Sequence, residues 1–66
     1  MQLTVNGNTE NVPEGSTILD FLAEKKLDPE KVVVECNLDI IQRENYGDVV
    51  LKENDSLEIL RFVGGG

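Results

Sequence analysis

One cysteine, Cys36, and no histidine in 66 residues leave this chain without an intramolecular disulfide and without the ligands to complete a zinc site. A domain this short buries only roughly 60% of the surface that its unfolded chain exposes. With neither staple available, its fold has to rest on one continuous core. At 39% hydrophobic residues, with Phe21, Tyr46 and Phe62 as the aromatics, the material for that core is adequate and mainly aliphatic. There is room for one domain and little room for a deep ligand pocket.

The apolar residues are spaced to make strands around one helix. Residues 1–5 alternate, with Met1, Leu3 and Val5 on one side and Gln2 and Thr4 on the other, which predicts a half-buried strand. Asn6, Gly7 and Asn8 supply turn chemistry, because Asn and Gly tolerate positive φ. Residues 9–12 return as a second strand, stopped by Pro13 and Gly15. Ser16 is placed to cap a helix of about three turns, with Asp20 near its positive end. Ile18, Leu19, Leu22 and Ala23 form the expected apolar face, Lys25 and Lys26 suit the last turn, and Pro29 prevents a long continuation.

Beyond the helix, Val32, Val34 and Cys36 share one face of a β-branched strand, and a turn is expected over residues 37–39. Ile40 and Ile41 begin a short extended piece, residues 43–47 form an irregular or single-turn segment, and residues 49–51 are apolar again. A polar loop at residues 52–55 leads to a closing strand over residues 57–63. Leu57 and Ile59 share a face with Arg61, whereas Glu58, Leu60 and Phe62 point the other way. If Leu57 and Ile59 enter the core, Leu60 and Phe62 stand on the outer face as a docking patch.

Thirteen acidic residues against six basic ones give a net charge of −7, spread along the sequence. This describes a solvated acidic surface, which disfavours nucleic acid as a partner and steers toward a basic protein surface. No apolar run is long enough to span a bilayer and no signal peptide is recognisable, so cytoplasmic residence is expected, as a monomer. Cys36 is assigned to packing, since no cation adjacent in sequence would depress its pKa. Arg43 and Arg61 are expected to pair with local acids. No triad, phosphate loop or metal cluster is recognisable, so the chain is not expected to be an enzyme or to carry a cofactor of its own.

The sequence ends Phe62, Val63, Gly64, Gly65, Gly66. Without a Cβ, glycine passes a narrow channel and leaves a carboxyl group open to attack, at the cost of backbone entropy on ordering. Taken alone, this ending fits a frayed terminus or a linker scar equally well.

The order of hairpin, helix and further strands running into a glycine tail resembles the β-grasp fold of ubiquitin and its prokaryotic relatives. That implies an α+β fold: a mixed sheet packed on one main helix over residues 1–63, with a flexible tail at 64–66. Within that group the whole chain resembles the ThiS family, the sulfur carriers of thiamin thiazole biosynthesis. The likeness rests on residues 2–7 with their Val5, Asn6 and Gly7, on residues 14–17 leading into the helix, and on residues 32–35. It continues through residues 40–46 with Arg43, residues 54–59, and Phe62, Val63 and the glycines. Family members often have Asn-Gly-Glu where this chain has Asn37, Leu38 and Asp39, and proline where Gln42 stands.

The resemblance implies a carrier whose Gly66 carboxyl is adenylated with ATP by an E1-like, ThiF-type enzyme. A cysteine desulfurase relay then supplies sulfur to form a thiocarboxylate, which delivers it to a ThiG-type thiazole synthase. Gly65 and Gly64 would give access and reach, and Leu60, Phe62, Val63 and Glu58 would meet the partner. Two alternatives stay open. One is the small subunit of molybdopterin synthase, with the same chemistry; the other is a ubiquitin-like binding module that makes no use of its carboxylate.

Overall fold

The computed structural model describes residues 1–62. Its elements run β1 (Gln2–Val5), β2 (Asn8–Asn11), α1 (Ile18–Glu24), β3 (Val32–Cys36), β4 (Asp39–Ile41) and β5 (Ser56–Arg61), with short 3-10 turns at Pro29–Lys31 and Arg43–Asn45. The strands form one sheet in the order β2-β1-β5-β3-β4, so the last strand in sequence lies at its centre. β1 and β5 are parallel and the remaining neighbours antiparallel. This is the mixed sheet with one helix that the β-grasp resemblance implies.

Two hairpins supply four of the five strands, and both turn through asparagine. Asn6 and Gly7 turn β1 into β2 with φ of 50° and 83°, and Asn37 and Leu38 turn β3 into β4 with φ of 51° and 75°. Positive φ at both central residues gives the twist that two-residue hairpins need, and it favours Asn first and Gly second. The second turn departs from that preference by placing Leu38, 89% exposed, in the left-handed region.

The helix is shorter and turned differently than the sequence suggests. It has seven residues, about two turns, and its N-cap is Thr17. The Thr17 hydroxyl accepts from the Asp20 N–H at 3.0 Å, and the Asp20 carboxylate accepts from the Thr17 N–H at 3.0 Å, a reciprocal capping box. Ser16 instead donates to the Pro13 carbonyl at 2.6 Å, closing the preceding turn. At the other end Lys26 adopts φ 59°. There the Leu27 N–H reaches the Leu22 carbonyl at 2.8 Å and the Lys26 N–H reaches Ala23 at 3.0 Å. That Schellman arrangement stops the helix before Pro29 is reached.

The buried face of α1 is Ile18, Phe21 and Leu22, whereas Leu19 and Ala23 are exposed. Positions i, i+3 and i+4 face the sheet, and the ring of Phe21 outweighs the methyl of Ala23 in apolar area buried. Lys25 covers the Phe21 ring at 5.6 Å and forms an ion pair with Glu10 on β2.

Between helix and sheet lies one core: Leu3, Val5, Ile18, Phe21, Leu22, Val32, Val34, Cys36, Tyr46, Leu51, Leu57 and Ile59. The alternation in β1, β3 and β5 supplies most of it. Tyr46, from the segment expected to be irregular, is 2% exposed, and its hydroxyl donates to the Val32 carbonyl at 3.3 Å. Burial pushes the Cys36 thiol above its ordinary range, with the Asp55 and Asp39 carboxylates adding to the effect. That is a packing cysteine. Among the described residues Arg43 and Arg61 form no ion pair with an acid; the Arg43 Nε donates to the Pro29 carbonyl at 2.8 Å and ties the two 3-10 turns together.

Candidate functional site

β5 is the strand that leads toward the glycines in sequence, and its alternation decides which side chains it presents on each face. Leu57 and Ile59 are buried while Leu60 and Phe62 are 58% and 54% exposed, as the alternation in sequence requires. Phe62 continues the pairing past the end of β5, donating its N–H to the Lys31 carbonyl at 2.9 Å. Val63, Gly64, Gly65 and Gly66, expected to anchor, extend and carry the reacting carboxyl, lie outside the described residues.

Strand register adds neighbours that the linear sequence does not reveal. Val33 is paired directly with Leu60, and Glu35 is paired with Glu58 on one side and with Ile40 on the other. Paired residues project from the same face, so Val33, Ile40, Leu60 and Phe62 share the side of the sheet opposite the helix. Ile40 is 64% exposed. The apolar pair seen in sequence is therefore part of a four-residue surface around two carboxylates.

Glu35 and Glu58 stand directly opposite each other across the β3 and β5 ladder. Like charges in that position repel, and among the described residues the one ion pair is Lys25 with Glu10, on the other face. A cation brought by another molecule would relieve this repulsion. The surface thus combines exposed apolar area with two carboxylates paired across the ladder.

The ends of β5 are held by the two hairpin asparagines. At its start the Asn37 side chain accepts from the Ser56 N–H at 3.0 Å and donates to the Asp55 carboxylate at 2.9 Å. Toward its end the Asn6 side chain accepts from the Ile59 N–H at 2.8 Å and donates to the Ile59 carbonyl at 3.3 Å. The sequence marks both asparagines as turn formers and gives no sign of these long-range bonds.

Elsewhere, an open groove of about 510 Å³ runs between β2 and α1, with Glu10, Glu14, Asp20 and Glu24 along it. It lies on the helix side of the sheet, away from Leu60 and Phe62. Among the described residues no group of three or more acidic, cysteine or histidine side chains could hold a metal ion, and no helix is long and apolar enough to cross a membrane.

Comparison with known proteins places this geometry. The model of the ThiS family matches residues 1–66. The sulfur carrier protein ThiS of Bacillus subtilis is 48% identical over 50 residues, which is 76% of each chain. The thiazole synthases of Magnetococcus marinus and Paramagnetospirillum magneticum are 41% and 39% identical over 66 residues. The chain spans 20% of the length of each of those two proteins. In three dimensions it is similar to the crystal structure of the thiamine biosynthesis protein (ThiS) from Geobacter metallireducens, with a TM-score of 0.85, 36% identity and full coverage of both chains.

Proposed function

The chain belongs to the ThiS family, and from that membership we propose that it works as a sulfur carrier for thiamin biosynthesis, a substrate of other enzymes and not itself a catalyst. The observation that carries this reading is the family match over the whole sequence, together with a Bacillus subtilis relative that bears the sulfur carrier name. The names of the relatives favour the thiazole branch over molybdopterin synthesis.

The chemistry we assign to Gly66 follows from what a carboxylate lacks. Oxide is too poor a leaving group for direct acyl transfer, so the carboxyl has to be activated. In our proposal an E1-like adenylating enzyme directs a Gly66 carboxylate oxygen onto the α-phosphorus of ATP, and pyrophosphate leaves. A sulfur nucleophile from a desulfurase relay then adds to the acyl carbon, and AMP departs as the C–S bond forms. Where that sulfur arrives as a persulfide, a thiol reductant cleaves the S–S bond and frees the thiocarboxylate. Gly65 and Gly64 would let this end enter a narrow channel.

The partner side of the proposal uses the outer face. Leu60, Phe62 and Val63 would supply apolar anchors and Glu58 a carboxylate, with Val33, Ile40 and Glu35 beside them. A thiazole synthase is the acceptor we assign, since two relatives carry that name over a protein in which the matched region is one fifth of the length. All these partners are expected in the cytoplasm.

Adding one residue after Gly66 tests the carboxylate's role. A carrier loses all activation by its cognate adenylating enzyme while its fold and partner affinity remain. A module that binds through Leu60 and Phe62 alone would be indifferent to the addition, and that result would overturn the carrier reading.

A further inference from the structure

Asn6 sits where the sheet runs out of backbone. β1 pairs with β5 through Thr4 and Ser56 and through Val5 and Leu57, and the Asn6 N–H adds a bond to the Leu57 carbonyl at 2.9 Å. The chain then turns away through Gly7. Among the described residues the main-chain pairing of β1 with β5 stops there, although β5 still has to run through Ile59 toward Arg61 and Phe62. The Asn6 side chain fills the gap. Its amide oxygen takes the Ile59 N–H at 2.8 Å and its amide nitrogen gives to the Ile59 carbonyl at 3.3 Å. A primary amide presents the same acceptor and donor as a peptide group, so it stands in for the missing next residue of β1.

We propose that Asn6 is a positioning residue: by clasping both main-chain groups of Ile59 it fixes the second half of β5, and with it the direction in which the chain leaves the domain toward Gly66. This rests on the carrier reading above. Its turn conformation does not explain the clasp, since φ of 50° is open to Gly and Asp as well as Asn. Of those three residues only Asn carries a side-chain acceptor and donor on separate atoms, Oδ1 and Nδ2, set to meet the Ile59 N–H and carbonyl together. On the other side of β5 the pairing with β3 is continuous from Cys36 to Val32, so releasing Asn6 frees one flank of the strand and leaves the fold in place. Productive acyl transfer needs the reacting group held to within about an ångström, and misplacement lowers the rate without weakening docking elsewhere.

Asn6→Gly keeps the left-handed turn and removes the clasp, and Asn6→Asp keeps the acceptor while setting a carboxylate against the Ile59 carbonyl. Hydrogen exchange and ATP–pyrophosphate exchange with the cognate adenylating enzyme read the two consequences. In N6G the Ile59 amide should exchange at least on the order of tenfold faster while the Glu58 and Leu60 amides, paired to β3, stay protected. The kcat for adenylation should fall on the order of tenfold with KM unchanged, and N6D should lie between N6G and the wild type. If N6G does not fold, N6D decides by the same readouts. A variant activated at the wild-type kcat, or one whose loss is entirely in KM, overturns the positioning role. A wild type that supports no exchange overturns the carrier reading, and this proposal with it.

Discussion

Replacing Leu38 by glycine should make this protein more stable. Leu38 is 89% exposed with φ 75°, so its side chain buries almost nothing and its backbone occupies the left-handed region. For an L-residue with a Cβ that conformation costs about 1–2 kcal/mol. Glycine removes this strain but gives the unfolded chain extra freedom worth about 0.4–1 kcal/mol. The balance is a gain of about 1 kcal/mol. Unfolding entropy of about 2.1 cal/mol/K per residue converts this, for a domain of 66 residues, into a Tm increase of about 7 °C. Thermal melts followed by circular dichroism resolve such a shift easily. Leu38→Ala is the control: it removes the exposed side chain but keeps the Cβ, and should stay within about 0.5 kcal/mol of the parent. A Tm for L38G at or below the parent value, or an equal gain in L38A, would refute the argument that backbone strain is what the turn carries.

Two further outcomes follow from burial and exposure. Phe62→Asp should leave stability within about 0.5 kcal/mol, because the ring is more than half exposed, yet weaken binding to the cognate partner. A large drop in Tm would place Phe62 in the core instead. Burial, reinforced by Asp55 and Asp39, holds the Cys36 thiol protonated above its ordinary range. The unfolded chain therefore releases this proton first as pH rises, so the stabilising contribution is intact below the ordinary thiol pKa and declines as pH climbs through and above it. Urea midpoints compared across that range should show a steeper loss for the parent than for Cys36→Val, and parallel profiles would contradict the assignment.

Strands were legible in the sequence because a two-residue period needs only a few positions to show itself. Leu3 and Val5, Val32 and Val34, and Leu57 and Ile59 all enter the core as their alternation requires, and the exposure of Leu60 and Phe62 follows from the same parity. The helix was harder. Seven residues hold two turns, too few for a stripe to declare itself, and Leu19 and Ala23 compete with Phe21 for the inner face until the sheet selects among them. The same brevity lets Ser16 and Thr17 both look like caps, and only the reciprocal bond with Asp20 distinguishes them. Tyr46 was hidden in a polar stretch because its burial depends on Val32, fourteen residues away. The site divides in the same way. Leu60 and Phe62 are visible along β5, but Val33, Ile40 and the opposed Glu35 and Glu58 become neighbours only through cross-strand register. The hold of Asn6 on Ile59 spans 53 residues and leaves no local trace.

If Gly66 carries sulfur as proposed, intact-mass spectrometry detects it on the protein itself. The full chain is incubated with its cognate adenylating enzyme, ATP and a sulfur donor, then measured whole and again as its C-terminal peptide. A carrier gains the mass difference between one sulfur and one oxygen, and the gain maps to Gly66. An unchanged mass, with an enzyme preparation shown to activate another carrier, would mean that Gly66 does not carry sulfur.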